Sequence, residues 1–535
     1  MKRIISGLLS LCIAAGVFSV YGYADIETVS ALEIEAGSWI DDDGNKCLTA
    51  SDGEMIFYIY SDHAEVRVSV YGEETNVVDI VIPEECNGVK VTVLQNVYST
   101  NGSLFSDGSP IILSLPKTLT TINESELSNI AKITVDKDNP VFCDDNGVLY
   151  NKDKTKLIYY PSEMQDKQYI IPDSVQEIAP AVFMKSKYTE EFIVDSDNDY
   201  FSVKDGVLYD KNQTKLIRYP GGKKDTEYTV PDTVSEIGDY GFCYNSCLTT
   251  VGLPDSVKHI GQCAFTEARA LESISIPESV TELRAGIFAW CSSLTDVSLP
   301  DSLLRIDDTA FGLCGRLESI NIPDSVEYIG RAAFAACPKL SSVKLPDGLK
   351  KIEDGTFSFC TDLESLDIPS SVEKIEGSAF MCSRLKTIVL PESVSEFDIS
   401  ALSSCTGLKS ITIINPDCII ENKNDQCLEI RKEAEDSVSG EIRTKTCKFD
   451  GTVSGYTGST AQEFAEKWGF KFVPLDADNA EYDINEDGIV NSADLIDMIK
   501  MMIGQSEVSA SADINNDGKV NVSDFLMLKK IFLRS

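Results

Sequence analysis

Histidine is nearly absent from this chain, which contains two histidines, His63 and His259, among 535 residues. Neither lies in an HExxH or other zinc-ligand pattern, and no G-x-S-x-G nucleophile motif occurs, so these hydrolase signatures are absent. His259 takes a repeat position that is occupied elsewhere by Glu236, Glu282 and Arg305, which indicates a variable, solvated site. The sequence therefore predicts that the protein is not an enzyme of these classes.

Basic residues are also scarce: 47 Lys and Arg stand against 86 Asp and Glu, which gives a net charge of −39. Such a surface repels nucleic acid and anionic membranes, so neither is an expected partner. With 43% hydrophobic residues the chain can bury a large core, which excludes global disorder.

Long hydrophobic runs are lacking after the N-terminus. Met1-Lys2-Arg3 precedes the apolar run from Ile4 to Val20, and Gly22-Tyr-Ala24 is a small-x-small cleavage site. This pattern predicts a signal peptide over residues 1–24. We therefore expect a secreted, extracellular protein with no membrane span after cleavage.

A 23-residue period fills the middle of the chain, where prolines recur at six intervals of 23 from Pro231 to Pro369. Each ends a short apolar–polar stretch, such as Leu271-x-x-Ile274-x-Ile276 or Leu294-x-x-Val297-x-Leu299, whose period-two tail indicates a strand. One phenylalanine recurs per period, at Phe265, Phe288, Phe311, Phe334, Phe357 and Phe380. Because one coil cannot cover its own apolar face, we predict stacked coils that form a mainly β solenoid with a ladder of parallel strands.

Two longer intervals upstream contain the same insert, since residues 145–161 match residues 204–220. Aromatic and aliphatic stretches around a polar turn predict a β-hairpin that protrudes from the stack. The repeats, with these inserts and an Ala-Phe-x-x-Cys spacing, resemble the BspA-type leucine-rich repeats of bacterial surface proteins. The resemblance extends from about Val81 to Asn415 and implies a binding or adhesive surface.

Both ends of a solenoid need caps. Apolar alternation predicts an N-terminal β cap over residues 25–80, followed by the repeats over 81–415. The C-terminal cap is predicted over 416–475, where Ser459 to Gln462 form a capping box that opens a short helix ending at Gly469. Residues 476–482 are then an acidic linker.

The cysteines allow two interpretations. Six of the sixteen recur with the repeat, at Cys291, Cys314, Cys337, Cys360, Cys382 and Cys405. They could be a metal or redox ladder, or small thiols that turn inward at a bend, and the unbroken column favours the second interpretation. One pair among Cys418, Cys427 and Cys447 could form a disulfide.

The outward strand positions carry hydroxyl and charged residues and no aromatic ring, as at Thr250, Ser273, Ser275 and Asp296. Because sugar rings commonly stack on aromatic side chains, this face does not favour glycan binding. Recognition of an unknown surface ligand could instead use the tyrosines of the inserts, or the repeats could bind a protein partner and these tyrosines could only pack onto the coils. They are Tyr150, Tyr159, Tyr160, Tyr209 and Tyr219.

Near the C-terminus two twelve-residue segments repeat with a displacement of 30 residues. Each has oxygen ligands at positions 1, 3, 5, 9 and 12, a glycine at position 6 and a backbone carbonyl at position 7, which is the pattern of a Ca²⁺ loop. The predicted ligands are Asp483, Asn485, Asp487, Ile489, Asn491 and Asp494 in the first loop and Asp513, Asn515, Asp517, Lys519, Asn521 and Asp524 in the second.

An apolar-periodic helix is predicted after each loop, but none precedes the first, and position 12 carries Asp instead of the Glu of an EF-hand. Residues 483–535 resemble a type I dockerin, the small α module that binds a cohesin of a cellulosomal scaffoldin. The resemblance implies two bound calcium ions. It also implies a cohesin-binding face formed by Ser492, Ala493, Ile499, Lys500, Val522, Ser523, Lys529 and Lys530.

Together these features predict a secreted, non-catalytic binding protein that is attached to a cellulosome during plant polysaccharide degradation. One alternative is an unrecognised cellulosomal enzyme, since a glycosidase's two carboxylates have no fixed spacing in sequence. Another is a free adhesin whose terminal module is only a Ca²⁺-stabilised cap.

Overall fold

The structure is a computed structural model. It describes residues 38–40, 46–49, 55–71, 77–100, 109–422, 428–435, 442–476, 484, 492–502 and 520. This part of the chain is mainly β, as predicted, and divides into two compact units, Met1–Leu363 and Glu364–Ser535. Among the described residues, no helix is both long and apolar enough to cross a membrane.

The first unit begins with a seven-stranded sheet that leads into the first coils. The elements of this region are β1 (Ser38–Ile40), β2 (Lys46–Thr49), β3 (Met55–Ile59), β4 (Ala64–Tyr71), β5 (Val78–Val81), β6 (Glu85–Cys86), β7 (Val89–Thr100), β8 (Ile111–Leu115), β9 (Thr121–Ile122), a 3₁₀ turn (Glu124–Glu126) and β10 (Ile130–Val135). Strands β1 to β4 pair antiparallel in order, and β4 pairs parallel with β7. Alternate residues Val66, Val68 and Val70 are buried, as the period-two pattern predicts.

Each insert forms a three-stranded antiparallel meander instead of a simple hairpin, because one more strand precedes the matched segments. The strands here are β11 (Phe142–Asp145), β12 (Val148–Asn151), β13 (Lys156–Tyr159), β14 (Gln168–Ile171), β15 (Glu177–Ile178), β16 (Glu191–Val194), β17 (Phe201–Lys204), β18 (Val207–Asp210) and β19 (Lys215–Arg218). The first turn has two consecutive positive φ angles, 52° at Asn146 and 94° at Gly147, and Asp205 and Gly206 repeat it at 52° and 78°. Asn-Gly and Asp-Gly favour this type I′ turn.

The regular coils of the first unit each contribute two short strands, and so form two parallel ladders. These strands are β20 (Glu227–Thr229), β21 (Glu236–Ile237), β22 (Thr250–Gly252), β23 (His259–Ile260), β24 (Ser273–Ser275), β25 (Glu282–Leu283), β26 (Asp296–Ser298), β27 (Arg305–Ile306), β28 (Ser319–Asn321), β29 (Tyr328–Ile329), β30 (Ser342–Lys344) and β31 (Lys351–Ile352). The longer ladder was predicted. The second was not, because two residues are too few to show a sequence period.

A proline ends each strand of the longer ladder and opens a turn, as its missing N–H leads one to expect. The carbonyl of Pro277 accepts a hydrogen bond from the N–H of Val280 at 3.0 Å, and the same bond recurs in other coils, for example from Val326 to Pro323 at 3.1 Å. Between the ladders lies the phenylalanine column. Neighbouring rings from Phe242 to Phe357 stack with centroids 5.0 to 5.5 Å apart.

The described part of the second unit contains further coils, a hairpin and two helices. Its elements are β32 (Lys374–Ile375), β33 (Thr387–Leu390), β34 (Glu396–Asp398), a 3₁₀ turn (Ile399–Leu402), β35 (Ser410–Ile413), β36 (Ile419–Glu421), β37 (Glu429–Glu435), β38 (Ile442–Lys448), β39 (Thr452–Gly455), α1 (Thr460–Trp468), β40 (Lys471–Pro474) and α2 (Ser492–Met502). Residues 364–369 lack the strand that the repeat predicts, although Leu366 is still buried.

The predicted helix after Ser459 is confirmed as α1. The Ser459 hydroxyl accepts a hydrogen bond from the Gln462 N–H, and Gly469 ends the helix with a left-handed φ of 66°. The Gln462 side chain accepts from the Gly458 N–H at 2.7 Å, one residue earlier than in a standard capping box. Phe464 is buried on the inner side of this helix.

Candidate functional site

The outward face of the longer ladder is an extended candidate surface in the first unit. Its columns are exposed or half-buried, as predicted, and a shallow groove of about 360 Å³ crosses β20, β22, β24 and β26. Hydroxyl and carboxylate side chains line it, including Thr229, Thr250, Ser273, Ser275 and Asp296. Apart from the half-buried Tyr228 the lining carries no aromatic ring, so this chemistry suits a polar partner that forms hydrogen bonds better than a sugar ring that stacks.

The tyrosines of the inserts are buried, so the hypothesis that they form an exposed recognition surface is wrong. Tyr150 is 4% exposed and Tyr209 is 0% exposed. Their hydroxyls bond to those of Tyr169, at 2.6 Å, and Tyr228 respectively, each 19 residues further along the chain. Burial raises the pKa of all four phenols. These side chains pack onto the coils, which is the alternative interpretation.

The remaining three tyrosines of that set are also buried, at 6% exposure or less. The Tyr159 hydroxyl accepts a hydrogen bond from the Ile130 N–H at 3.1 Å. The Tyr219 hydroxyl donates to Asp225 at 3.2 Å, and the Tyr160 ring packs edge-on against Tyr169. Tyrosine is therefore a core residue of the inserts.

The repeated cysteines turn inward, and none of the twelve cysteines whose side chains are described forms a disulfide. Five of the six thiols bond to the phenylalanine carbonyl of the preceding coil: Cys291 to Phe265 at 3.1 Å and Cys314 to Phe288 at 3.2 Å, for example. Burial raises the pKa of the Cys291 thiol. Within the described ranges no cluster of three or more His, Cys, Asp or Glu side chains could hold a metal ion. Inward packing is thus the interpretation that the geometry supports.

Cys418, one of the three cysteines outside the column, is a buried thiol whose pKa burial raises to about 11. It is not in a disulfide, so a bond from Cys418 to Cys427 or Cys447 is ruled out in this structure. Cys427 and the Cys447 side chain lie outside the described residues.

The two histidines lie on the surface. His63 Nδ1 is 2.8 Å from an Asp62 carboxylate oxygen, and Nε2 is 3.4 Å from Glu65. The hydrogen bond to Asp62 is the main cause that raises the pKa of His63. His259 is exposed on the second ladder, where its strand pairs with that of Glu236, as its variable repeat position predicts. Among the described residues, no hydrogen bond joins either histidine to a serine, threonine or cysteine side chain.

Sequence reasoning missed a set of buried asparagines at the tight bends. Asn198 donates to the carbonyls of Pro172 and Val175 at 2.8 Å, and its side-chain oxygen accepts from the Tyr200 and Phe201 N–H groups at 2.8 and 2.9 Å. Asn139 and Asn245 make the equivalent bonds. The repeated Asp-x-Asp-Asn-x-x-Phe motif was the available signal for Asn139 and Asn198, but Asn245 does not lie in it.

Comparison with protein families agrees with this architecture. Residues 221–340 and 304–428 match the model of the BspA type leucine-rich repeat region, and residues 481–533 match that of the dockerin type I domain. The chain carries BspA-type leucine-rich repeats and a C-terminal type I dockerin domain. No catalytic family is found, and leucine-rich-repeat proteins are generally non-enzymatic. No curated protein matches the chain.

Several solved bacterial structures are similar in part. A leucine-rich repeat protein from Eubacterium ventriosum is 21% identical and covers 63% of this chain and 92% of its own, with a TM-score of 0.39. A leucine-rich cell surface protein from Faecalibacterium prausnitzii is 22% identical, with coverages of 58% and 95% and a TM-score of 0.33. The leucine-rich repeat protein of T. pallidum is 33% identical, with coverages of 33% and 80% and a TM-score of 0.29.

Most of the dockerin domain lies outside the described residues, including the predicted ligands other than Asp494, whose backbone alone is described. The predicted helix after the first loop is confirmed as α2, and Asp494 falls in its first turn. Met498 is fully buried, whereas Ile499 is 42% exposed. Lys500 pairs with Asp497 on the same helix. The predicted face residues Val522, Ser523, Lys529 and Lys530 lie outside the described part.

Proposed function

We propose that this protein is a secreted, non-catalytic binding protein that is attached to a cellulosome scaffold through its dockerin domain, in the setting of plant polysaccharide degradation. The observation that carries the proposal is the type I dockerin over residues 481–533 in a chain with leucine-rich repeats over residues 221–428. The dockerin supplies attachment to a cohesin, and the repeats, over residues 81–415, supply a surface for a second partner.

Type I dockerin domains generally bind calcium. On this proposal two ions are bound, one by each twelve-residue loop. Carboxylate and amide oxygens at positions 1, 3, 5, 9 and 12 fit a hard cation, and the carbonyls of Ile489 and Lys519 add a ligand at position 7. Since Asp494 lies in the first turn of α2, a bound ion would fix the start of this helix relative to the loop.

The cohesin-binding face is proposed at Ser492 and Ala493, Ile499 and Lys500, and their counterparts in the second half. Exposure of Ile499 supports this proposal, because an apolar side chain that is 42% exposed beside the buried Met498 is available to a partner. The fully buried core of a protein interface is more apolar than its rim, so Ile499 is the proposed anchor of the first half.

Calorimetric titration of the full chain with a panel of cohesins, first with Ca²⁺ and then with a chelator, tests this function. We expect tight binding that is lost with chelator and in an Asp494→Ala/Asp524→Ala double variant. An Asp478→Ala variant in the linker is the matched control and should bind as the unaltered chain does. Calcium uptake without binding to any cohesin would favour a free adhesin.

The non-catalytic part of the proposal has its own test. The full chain is incubated with soluble and insoluble plant polysaccharides, and released reducing sugar is measured. We expect none above a boiled sample. Sugar release that persists on repurified protein would establish the alternative of a cellulosomal enzyme.

A further inference from the structure

The two inserts interrupt the longer ladder at equivalent points, where β10 and β16 are each the last strand before an insert. Among the described residues, strand β16 pairs in its sheet only with β14, and β10 pairs only with β8. The N–H of Asp136 donates back to Leu115 at 2.9 Å, and the N–H of Asp195 donates back to Ile171 at 3.0 Å. Because N–H groups alternate between the two sides of a strand, the preceding residue, Val135 or Val194, directs its N–H to the open side.

The first insert closes this edge with a side chain. Asp144 accepts a hydrogen bond from the Val135 N–H at 2.8 Å. In the second insert, 59 residues later, Val194 replaces Val135 and Val203 stands where Asp144 would be. Valine has no acceptor in its side chain, and none of the described residues supplies one to the Val194 N–H.

The neighbouring hydrogen bond is the same in the two inserts, so the difference lies at the N–H of Val135 or Val194. The N–H of Ile133 donates to the Gly147 carbonyl at 3.2 Å, and the N–H of Phe192 donates to the Gly206 carbonyl at 2.9 Å. The second insert is therefore docked like the first, but it leaves Val194 uncovered. An unpaired N–H on a strand edge is a template for another chain.

A cavity of about 420 Å³ lies beside this donor. It is lined by Val194, Asp195, Ser196, Ser202, Val203 and Lys211, among others. On the outward face, Ile193 is 37% exposed and its partner in register, Ile170, is 56% exposed. The edge thus combines a backbone donor, room beside it and a neighbouring apolar pair.

We propose that the open edge of β16 binds an extended segment of a partner polypeptide that adds to it as a further strand. A peptide carbonyl accepts from the Val194 N–H, and an apolar side chain of the segment covers Ile170 and Ile193. The carboxylates of Glu191 and Asp195 and the net charge of −39 select a segment with lysine or arginine over a second copy of this chain. This inference deepens the proposed binding role of the repeats and rests on it.

A phage-displayed library of random twelve-residue peptides, selected on the full chain, provides the probe. Enriched peptides are synthesised and titrated into three proteins by calorimetry. We expect at least a tenfold loss of affinity in Val203→Asp, which restores the acceptor of the first insert and closes the edge. Asp144→Val alters only the other insert, where it frees the Val135 N–H, so it should leave the affinity of the β16 site unchanged.

Two further measurements guard against a misfolded variant. An Ile170→Lys/Ile193→Lys double variant changes exposed side chains only and should also lose at least tenfold in affinity. Hydrogen exchange followed by mass spectrometry should show slower exchange in fragments with Val194 when peptide binds, and no change in fragments with Val135.

The proposal is overturned if the library yields no binder, or if its binders have equal affinity for the unaltered chain, Val203→Asp and the double lysine variant. Cohesin binding is measured on the same samples. Retained cohesin binding beside a failed peptide test would leave the scaffold attachment standing and remove only the edge site. Loss of both would indicate failure of the proposed function as a whole.

Discussion

The regular coils and the coils with inserts solve the same packing problem in different ways. In the regular coils from Phe242 to Phe357 of the first unit, one ring per turn stacks on the next. The thiols of Cys291, Cys314 and Cys337 bond to the phenylalanine carbonyl of the preceding coil. In the coils with inserts, tyrosine pairs such as Tyr150 with Tyr169 take the place of stacked phenylalanines, and the two phenols of such a pair bond to each other.

The difference follows from the backbone. A coil that repeats every 23 residues places identical groups one above another, so an apolar column needs no polar side chain beyond the thiol. An insert breaks this repetition and leaves carbonyls and N–H groups at the bend without a partner in the next coil. Buried asparagines and tyrosines satisfy these groups, since an unpaired buried polar group is costly.

The largest effect is expected from a break in the phenylalanine column. Phe311 is fully buried between Phe288 and Phe334, at 5.4 and 5.2 Å. Phe311→Ala should lower the free energy of unfolding by about 4 kcal/mol, because it removes the ring and leaves a cavity. Denaturation with urea, followed by circular dichroism, measures this. Phe311→Leu fills part of the space and should cost less than half as much; equal losses would argue against a cavity effect.

In the coils with inserts, the next largest effect is expected at Asn198, the buried asparagine at the bend of the second insert. Asn198→Ala should lower the free energy of unfolding by about 3 kcal/mol, because two carbonyls and two N–H groups lose their partners. The same denaturation assay measures it. Asn198→Asp keeps the acceptor and loses both donors, so it should still be destabilising. A loss below about 1 kcal/mol in Asn198→Ala would mean that water replaces the amide.

These two regions also differ in how far sequence could predict them. The columns that contain Phe311 and Cys314 could be located from the sequence. The same residue type recurs there every 22 or 23 residues, because each coil gives it the same environment. Burial of Tyr150 could not be read in this way, because it depends on the hydroxyl of Tyr169, which lies on another strand of the fold. The loop ligands of the dockerin are a local pattern, and they stay a prediction.

A buried arginine distinguishes the second insert from the first. Arg218 is 2% exposed and occupies the position of Tyr159. Its guanidinium donates to the carbonyls of Tyr240, Met184 and Cys243. Arg218→Met should lower the free energy of unfolding by about 2 kcal/mol, because three carbonyls lose a donor while a buried charge is removed.

Arg218→Lys serves as the control in the same urea assay. It keeps the charge but replaces the planar fork with a single ammonium, so it should be no more stable than Arg218→Met. An Arg218→Met variant that is as stable as the unaltered chain, or more so, would show that burial of the guanidinium costs as much as its hydrogen bonds contribute.

The smallest effect is expected on the pH dependence of the free energy of unfolding, to which the buried thiols contribute. Burial raises the pKa of Cys405 to about 12, whereas an unfolded thiol titrates near ~8.5. Between these values the unfolded chain has lost a proton that the folded chain keeps, so the free energy of unfolding falls as pH rises. The slope is about 1.4 kcal/mol per pH unit for each such thiol.

Cys405→Ala should therefore show a shallower decline than the unaltered chain between about pH 9 and pH 11, measured by urea denaturation in the presence of a reductant. Val453→Ala, which truncates a buried side chain without a thiol, should lower stability but keep the original slope. If both variants keep that slope, the Cys405 thiol titrates alike in the folded and unfolded chain, and the column's hydrogen bond from Cys405 to the Phe380 carbonyl at 3.3 Å does not hold its proton.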